Sequence, residues 1–228
     1  MSLILNIDTA LDMAYVSIAR DGIVLEEKNN MDPKSHASFL QPAIRSISTS
    51  TGIALHELDA VAVSAGPGSY TGLRVGMASA KGLCYALKKP LVTISSLEIL
   101  ASGAIEQVGN NEGNESHLFC PVIDARRMEV FTALYKSNFD MAAPPAAVLL
   151  EENSFVNWLL NCQVYFFGSG AAKWEKICLH PNARFITLEN NSLAMNRLSF
   201  KRWGNNELAD IAGAAPVYVK EFYSNTGR

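Results

Sequence analysis

Apolar residues recur along this chain at two spacings, and the points where the spacing changes outline its elements. Leu3-Ile4-Leu5-Asn6-Ile7-Asp8 is a nearly continuous apolar run that reads as a buried strand ending on a carboxylate. Met13 to Arg20 and Ile23 to Lys28 read as the next two strands, joined by a tight turn at Asp21-Gly22. From Ser35 the period becomes helical. Phe39, Leu40, Ala43, Ile44 and Ile47 share one face up to Gly52. Val61 to Ala65 is a further strand. Leu73 to Leu87 is a helix ended by Lys88-Lys89-Pro90, Leu91 to Ile94 a strand, and Ser96 to Gln107 a helix.

The polar, glycine-rich stretch Gly109 to Ser116 then breaks the pattern and marks a boundary between residues 1–108 and 109–228. Beyond it the order of elements repeats. Leu118 to Asp124 ends in Ile-Asp as the first run does, and Met128 to Tyr135 alternates as Met13 to Arg20 does. Val164 to Phe167 runs into Gly168-Ser169-Gly170 as Val61 to Ala65 runs into Gly66. Helical stretches follow both. Asp140 to Ala147, with Pro144-Pro145, reads as irregular, and Ser192 to Trp203 as a helix with a small basic face of Arg197, Lys201 and Arg202. The simplest account is an α/β chain built from a duplicated β-β-β-α-β-α unit, its two domains facing a cleft. Two unrelated α/β halves are the alternative.

Composition narrows the classes. With 228 residues, 49% of them hydrophobic, the chain has material for one large or two small cores. A formal charge of −3 gives no bulk electrostatic attraction to nucleic acid. Cys84, Cys120, Cys162 and Cys178 are scattered and form no C-x-x-C pair, so reduced, buried cysteine is expected. The apolar N-terminus is short, lacks a basic flank and is broken by Asp8, and no apolar run approaches the length of a membrane span. A cytoplasmic location is expected.

The richest motif is Gly66-Pro67-Gly68-Ser69-Tyr70-Thr71-Gly72, placed between a strand and a helix. Such a turn suits an anion at the helix start or a close backbone approach, and local features favour the close approach. It is not a Walker loop, since no Lys-Ser/Thr pair follows, and its third glycine falls one residue late for a dinucleotide fingerprint. Ser69 lies outside a nucleophile elbow, because Pro67 stands where that motif needs glycine. His36, His56, His117 and His180 form no helical metal pair. Asp8 and Asp124 each end a buried strand, where an acid holds a metal or phosphate or caps the next turn. On the helix after the glycines, Gly72, Gly76, Ala80 and Cys84 recur every four residues and make a smooth face for another helix, of the same domain or of a second subunit.

These motifs carry a resemblance. Ile7-Asp8-Thr9-Ala10, Ser35-His36-Ala37-Ser38-Phe39-Leu40-Gln41-Pro42, the segment Gly66 to Gly76 and Ile123-Asp124-Ala125-Arg126-Arg127-Met128-Glu129-Val130 resemble the TsaB (YeaZ-like) family. The resemblance implies the actin-like ATPase fold and kinship with TsaD, the catalytic paralogue that makes threonylcarbamoyladenosine in tRNA. Where TsaD carries a metal-binding histidine pair, this chain has Ser96 and Leu100. The resemblance therefore implies a non-catalytic dimerisation subunit with no catalytic residue and no metal of its own. It implies TsaD, TsaE and a second copy as partners, and tRNA reached through the complex. A stand-alone glycoprotease-like hydrolase and a small-molecule kinase are the alternatives. No cofactor is required. Weak ATP or ADP binding at a vestigial site of Asp8, Gly66, Gly68 and Thr71 stays open, the second half being short for a complete nucleotide pocket. The partner face is expected on two helices, at His36, Leu40, Ile44, Ile47, Leu73, Gly76, Ala80 and Cys84.

Overall fold

The computed structural model describes residues 1–32, 35–109, 117–188 and 191–219. The first half runs β1 (Leu3–Asp8), β2 (Ala14–Arg20), β3 (Ile23–Asn30), α1 (His36–Thr51), β4 (Ala60–Gly66), α2 (Tyr70–Leu87), β5 (Leu91–Ser95) and α3 (Ser96–Val108). The second runs β6 (Leu118–Asp124), β7 (Glu129–Lys136), β8 (Met141–Leu149), α4 (Val156–Leu159), β9 (Val164–Phe167), α5 (Ala171–Glu175), β10 (Ala183–Phe185) and α6 (Asn191–Gly204). The sheets have orders β3-β2-β1-β4-β5 and β8-β7-β6-β9-β10. In each, the first strand pairs antiparallel with the second and parallel with the fourth. The repeat read from the sequence is therefore a repeat of topology, and each copy adds one more strand and helix to the expected unit.

The second copy is pared down. Its α4 and α5 have four and five residues where α1 and α2 have 16 and 18. Asp140 to Ala147, expected to be irregular, lies almost wholly within strand β8. That strand is an outer one, and its register with β7 shifts between Ala143 and Ala146, so Pro144 and Pro145, which lack an amide hydrogen, fall at a break in the pairing.

In the first domain, Leu40, Ile44 and Ile47 of α1 and Met77, Ala80 and Cys84 of α2 pack on Leu5, Ile7, Val61 and Val63 of the sheet. The opposite face is covered from the far end of the chain. Ala194 and Met195 of α6 are fully buried against Ile4, Tyr15, Ala60, Ala62, Val92 and Ile94. Asn6, a polar residue in the middle of β1, is met by Asn196, whose Oδ1 accepts from Asn6 Nδ2 at 2.7 Å and from Ser17 Oγ at 2.9 Å. This corrects the expected division at residue 109. Residues 117–188 form the second sheet domain, whereas α6 and the segment after it return to the first. The apolar back of the first sheet requires a cover, and the chain between β1 and α3 supplies that cover only in part.

Two of the three residues of the small basic face expected on α6 are also spent on this packing, while Lys201 is exposed. Arg197 pairs with Glu106, and Arg202 pairs with Glu98 and donates to the Thr93 carbonyl. Glu98 belongs to a capping box with Ser95 at the start of α3, so one carboxylate fixes both the start of α3 and the seat of α6.

Helix α3 joins the halves. Leu97, Leu100, Ala101 and Ala104 pack on Phe119, Ile123, Ala133, Tyr135 and Phe167 of the second sheet, while Ile99 faces the first. Truncating one of these residues reports on both domains. Leu97→Ala is expected to destabilise the chain by about 2–5 kcal/mol. Far-UV dichroism and the fluorescence of Trp174 and Trp203, one in each core, are expected to shift together in a denaturant titration. Separate transitions would show that the halves unfold independently.

Candidate functional site

The loop between β1 and β2 lies directly against the start of α2. A Cβ at Gly68 would strike the Ala10 carbonyl, one at Gly72 the Thr9 carbonyl, and one at Gly76 the Thr9 hydroxyl. Ser69 N donates to Ala10 O at 2.7 Å, and Thr9 Oγ1 donates to Gly72 O at 2.7 Å. Ser69 Oγ caps the helix by accepting from Gly72 N at 3.3 Å. The glycines thus serve a close approach between two backbone segments. The Ser69 amide, which an anion at the helix start would use, already has a carbonyl acceptor. Of the four residues expected at a vestigial nucleotide site, Gly66 is buried beside Leu73 and Val217, Gly68 is packed on Ala10, and Thr71 is exposed.

Asp8 sits beneath this contact and is 2% exposed. Its Oδ1 accepts from Ser64 Oγ at 2.5 Å and from Ala10 N at 2.8 Å. Burial pushes its carboxyl above the ordinary aspartate range, and those two hydrogen bonds pull it part of the way back. Tyr15 is fully buried beside it. Burial first, and then the neighbouring carboxylate, raise its phenol well above the ordinary value. His36 is buried at the start of α1 with Nε2 3.2 Å from the Asp12 carbonyl. Sequence spacing did not join Tyr15, Ser64 and His36 to Asp8, because three different elements bring them there.

The second domain repeats the device with a different outcome. Asp124 Oδ1 accepts from Arg126 N at 2.5 Å, the same two-residue reach that Asp8 makes to Ala10. Here the acid is exposed and pairs with Lys173 at 3.0 Å. Both acids cap the turn that follows them. Between α3, the β9–α5 turn and β10 lies a cavity of about 410 Å³, lined by Leu100, Gly168, Ala171, Glu175, Phe185 and Leu188. Ser96 and Leu100, at the positions compared with metal ligands, are both buried, and Leu100 packs in the core shared by the two domains. Among the described residues no three His, Cys, Asp or Glu side chains are grouped as metal ligands. No helix among them is long and apolar enough to cross a membrane.

The expected partner face needs correction. His36, Leu40, Ile44, Ile47, Leu73, Gly76, Ala80 and Cys84 are all buried within the first domain. The small stripe of α2 packs on its own sheet and on the β1–β2 turn. A second stripe with the same four-residue spacing lies on the outside of α2: Ala78, Gly82 and Ala86 are exposed, and beside them Tyr85 is 82% exposed. Gln41 Nε2 reaches Ser79 Oγ at 3.2 Å, so α1 and α2 lie side by side on this outer surface.

A duplicated α/β chain of this topology, with its glycine turn closed by its own backbone, belongs to the class of two-domain folds built like the actin-like ATPases. The family model for TsaD, tRNA N6-adenosine threonylcarbamoyltransferase, matches residues 24–202. The tRNA threonylcarbamoyladenosine biosynthesis protein TsaB of Bacillus subtilis is 35% identical over 95% of this chain and 93% of its own. The protein of the same name from Haemophilus influenzae is 32% identical over the same shares. A solved Pseudomonas aeruginosa structure, described as similar to the peptidase YEAZ, superposes with a TM-score of 0.79 at 29% identity, covering 96% of this chain and 100% of that one. The chain belongs to the TsaB family of tRNA threonylcarbamoyladenosine biosynthesis proteins, within the wider family that the TsaD model describes.

Two outcomes test the geometry of the turn. Gly72→Ala is expected to cost about 1–3 kcal/mol or more, since the new methyl meets backbone that cannot swing aside, and chemical denaturation measures it. The raised carboxyl of Asp8 binds its proton more tightly in the folded chain. Its contribution is therefore fully present below the ordinary value of 3.8 and is lost as pH rises through the folded value. Asp8→Asn keeps an acceptor for Ser64 and Ala10 but carries no charge. Stability curves of the two proteins are expected to differ least in acid and to diverge in the variant's favour towards neutral pH.

Proposed function

We propose that this chain is a non-catalytic subunit of a tRNA threonylcarbamoyl-transfer complex, and that it acts in the cytoplasm by holding the catalytic paralogue TsaD in a competent form. The observation that carries this reading is Leu100. At one of the two positions where TsaD has a metal-binding histidine, this chain has a side chain with no ligand atom, packed in the core between the domains. The other position, Ser96, is buried at the first turn of α3. A hydrolase reading is weakened by Ser69, whose hydroxyl caps α2. A kinase reading is weakened by the glycine turn, whose Ser69 amide and whose glycine-flanked space are taken by Thr9 and Ala10. In this reading the Gly66–Gly72 turn holds no ATP or ADP.

The partner surface in this reading is the outer face of α1 and α2 rather than the buried one. Ala78, Gly82 and Ala86 let a helix approach closely, and Tyr85 supplies an exposed aromatic anchor. A second copy, TsaD and a docked TsaE compete for or share that surface, and tRNA is met through the assembly.

Two measurements bear on the proposal. Purified chain is expected to show no threonylcarbamoyl transfer by itself and to co-purify with TsaD, with TsaE joining the pair; transfer by the isolated chain would overturn it. Gly82→Arg separates the outer face from the inner one. A Cβ at Gly82 has nothing within 4 Å, and the substitution removes a helical glycine, so a gain of about 0.5–1 kcal/mol in stability is expected. Light scattering is expected to show a monomer that no longer binds TsaD. Ala80→Arg, at a fully buried position, is expected to prevent folding.

A further inference from the structure

The turn between β6 and β7 holds two consecutive arginines on left-handed backbone, Arg126 at φ 68° and Arg127 at φ 49°. Glycine or asparagine takes this conformation at lower cost, so a turn needed only as a link has better residues available. The surroundings hold it rigidly. Asp124 Oδ1 accepts from Arg126 N, Ala125 N and Glu129 O bond at 3.0 Å, and Lys173 Nζ donates to Asp124 Oδ1 and to the carbonyls of Arg127 and Glu129. The start of the corresponding turn in the first domain, Thr9 and Ala10, is buried under Gly68 and Gly72. In the second domain the glycine approach falls on the strand instead, Gly170 N donating to Val122 O at 2.8 Å, and the turn is left clear. Arg126 and Arg127 are exposed, and neither guanidinium has a partner among the described residues. Arg74, Arg184, Arg197 and Arg202 are engaged, and Arg45, exposed on α1, shares that lack of a partner but not the fixed left-handed turn.

We propose that the Arg126–Arg127 turn is a phosphate-binding site through which this chain touches the tRNA backbone in the assembled complex, a proposal that rests on the function proposed above. Guanidinium groups match phosphate oxygens in fork geometry, and a pair fixed on a stapled turn loses little freedom on binding. Asp124 and Lys173, which hold the turn, are polar, and the next residue, Met128, is partly exposed, which suits a wet, charged contact better than the apolar centre of a protein interface. The chain as a whole is acidic, so this local concentration of positive charge runs against its average.

The test uses the chain complexed with TsaD and titrated with tRNA at several salt concentrations. Arg126→Gly with Arg127→Gly removes both charges and relieves the left-handed strain, so the doubly substituted chain folds at least as well. Loss of two phosphate contacts is expected to lower the slope of log affinity against log salt by about 1.5 and to weaken binding tenfold or more at physiological salt. Arg126→Lys with Arg127→Lys is expected to keep the slope while losing part of the affinity. Unchanged tRNA affinity and slope in an intact complex would overturn the proposal. Loss of TsaD binding by a normally melting glycine variant would assign the turn to a protein contact and overturn it too, as would loss of ADP binding with tRNA binding kept. Failure of the unsubstituted chain to bind TsaD at all would instead overturn the function proposed for the chain.

Discussion

The contact between the β1–β2 turn and the first two turns of α2 is the constraint on which the rest of the first domain depends. Three glycines, Gly68, Gly72 and Gly76, sit where any side chain would strike Thr9 or Ala10. Their absence of side chains lets α2 descend onto the sheet far enough for Met77, Ala80 and Cys84 to join Leu5, Ile7, Val61 and Val63. The same approach closes a lid over Asp8. Once covered, that carboxylate loses water and keeps Ser64 and the Ala10 amide as its hydrogen-bond donors. A motif with the look of an anion cradle is thus spent on the fold. The consequence for function is direct: what the glycine turn gives to packing it withholds from a phosphate.

Duplication explains why the two domains look alike and act differently. Both halves begin with a strand that ends in aspartate, and both aspartates cap the turn two residues on. In the first half a long α2 seals the turn, whereas in the second α5 is five residues long and meets the strand behind it. Where the glycine approach falls, on the turn in the first half and on the strand in the second, therefore separates a buried acid from an exposed one, and a closed turn from an open one bearing two arginines. The second sheet keeps a core of its own under α4 and α5 and buries its other face against α3, so the domains also share a core.

The closing of the first sheet by α6 has a similar logic. A five-stranded sheet has two faces, and α1 and α2 cover one of them. The other needs apolar cover plus an answer to Asn6, and both come from a helix about 190 residues along the chain. After α6 the chain pairs with β5 through Leu91 and Ala209 and passes beside α2, where Lys81 donates to the carbonyls of Ala212 and Ala214. The outward stripe of α2 stays exposed between this segment and α1.

By itself the sequence determined the class of fold, the order of elements in the first half and the family, because these rest on local periodicity and on motifs whose residues are adjacent. Leu40, Ile44 and Ile47 are apolar at helical spacing and are buried, as that spacing requires. Tertiary structure decided which of two equivalent stripes on α2 faces inward. Gly76, Ala80 and Cys84 and the exposed Ala78, Gly82 and Ala86 have the same spacing and nearly the same size, and the sheet and Thr9 beneath the first set tell them apart. It also decided that β8 is a strand despite two prolines, since an outer position and a register shift at the prolines are features the sequence does not display. And it decided where α6 belongs, because a polar residue buried in β1 finds its hydrogen-bond partner at a separation that no local pattern spans.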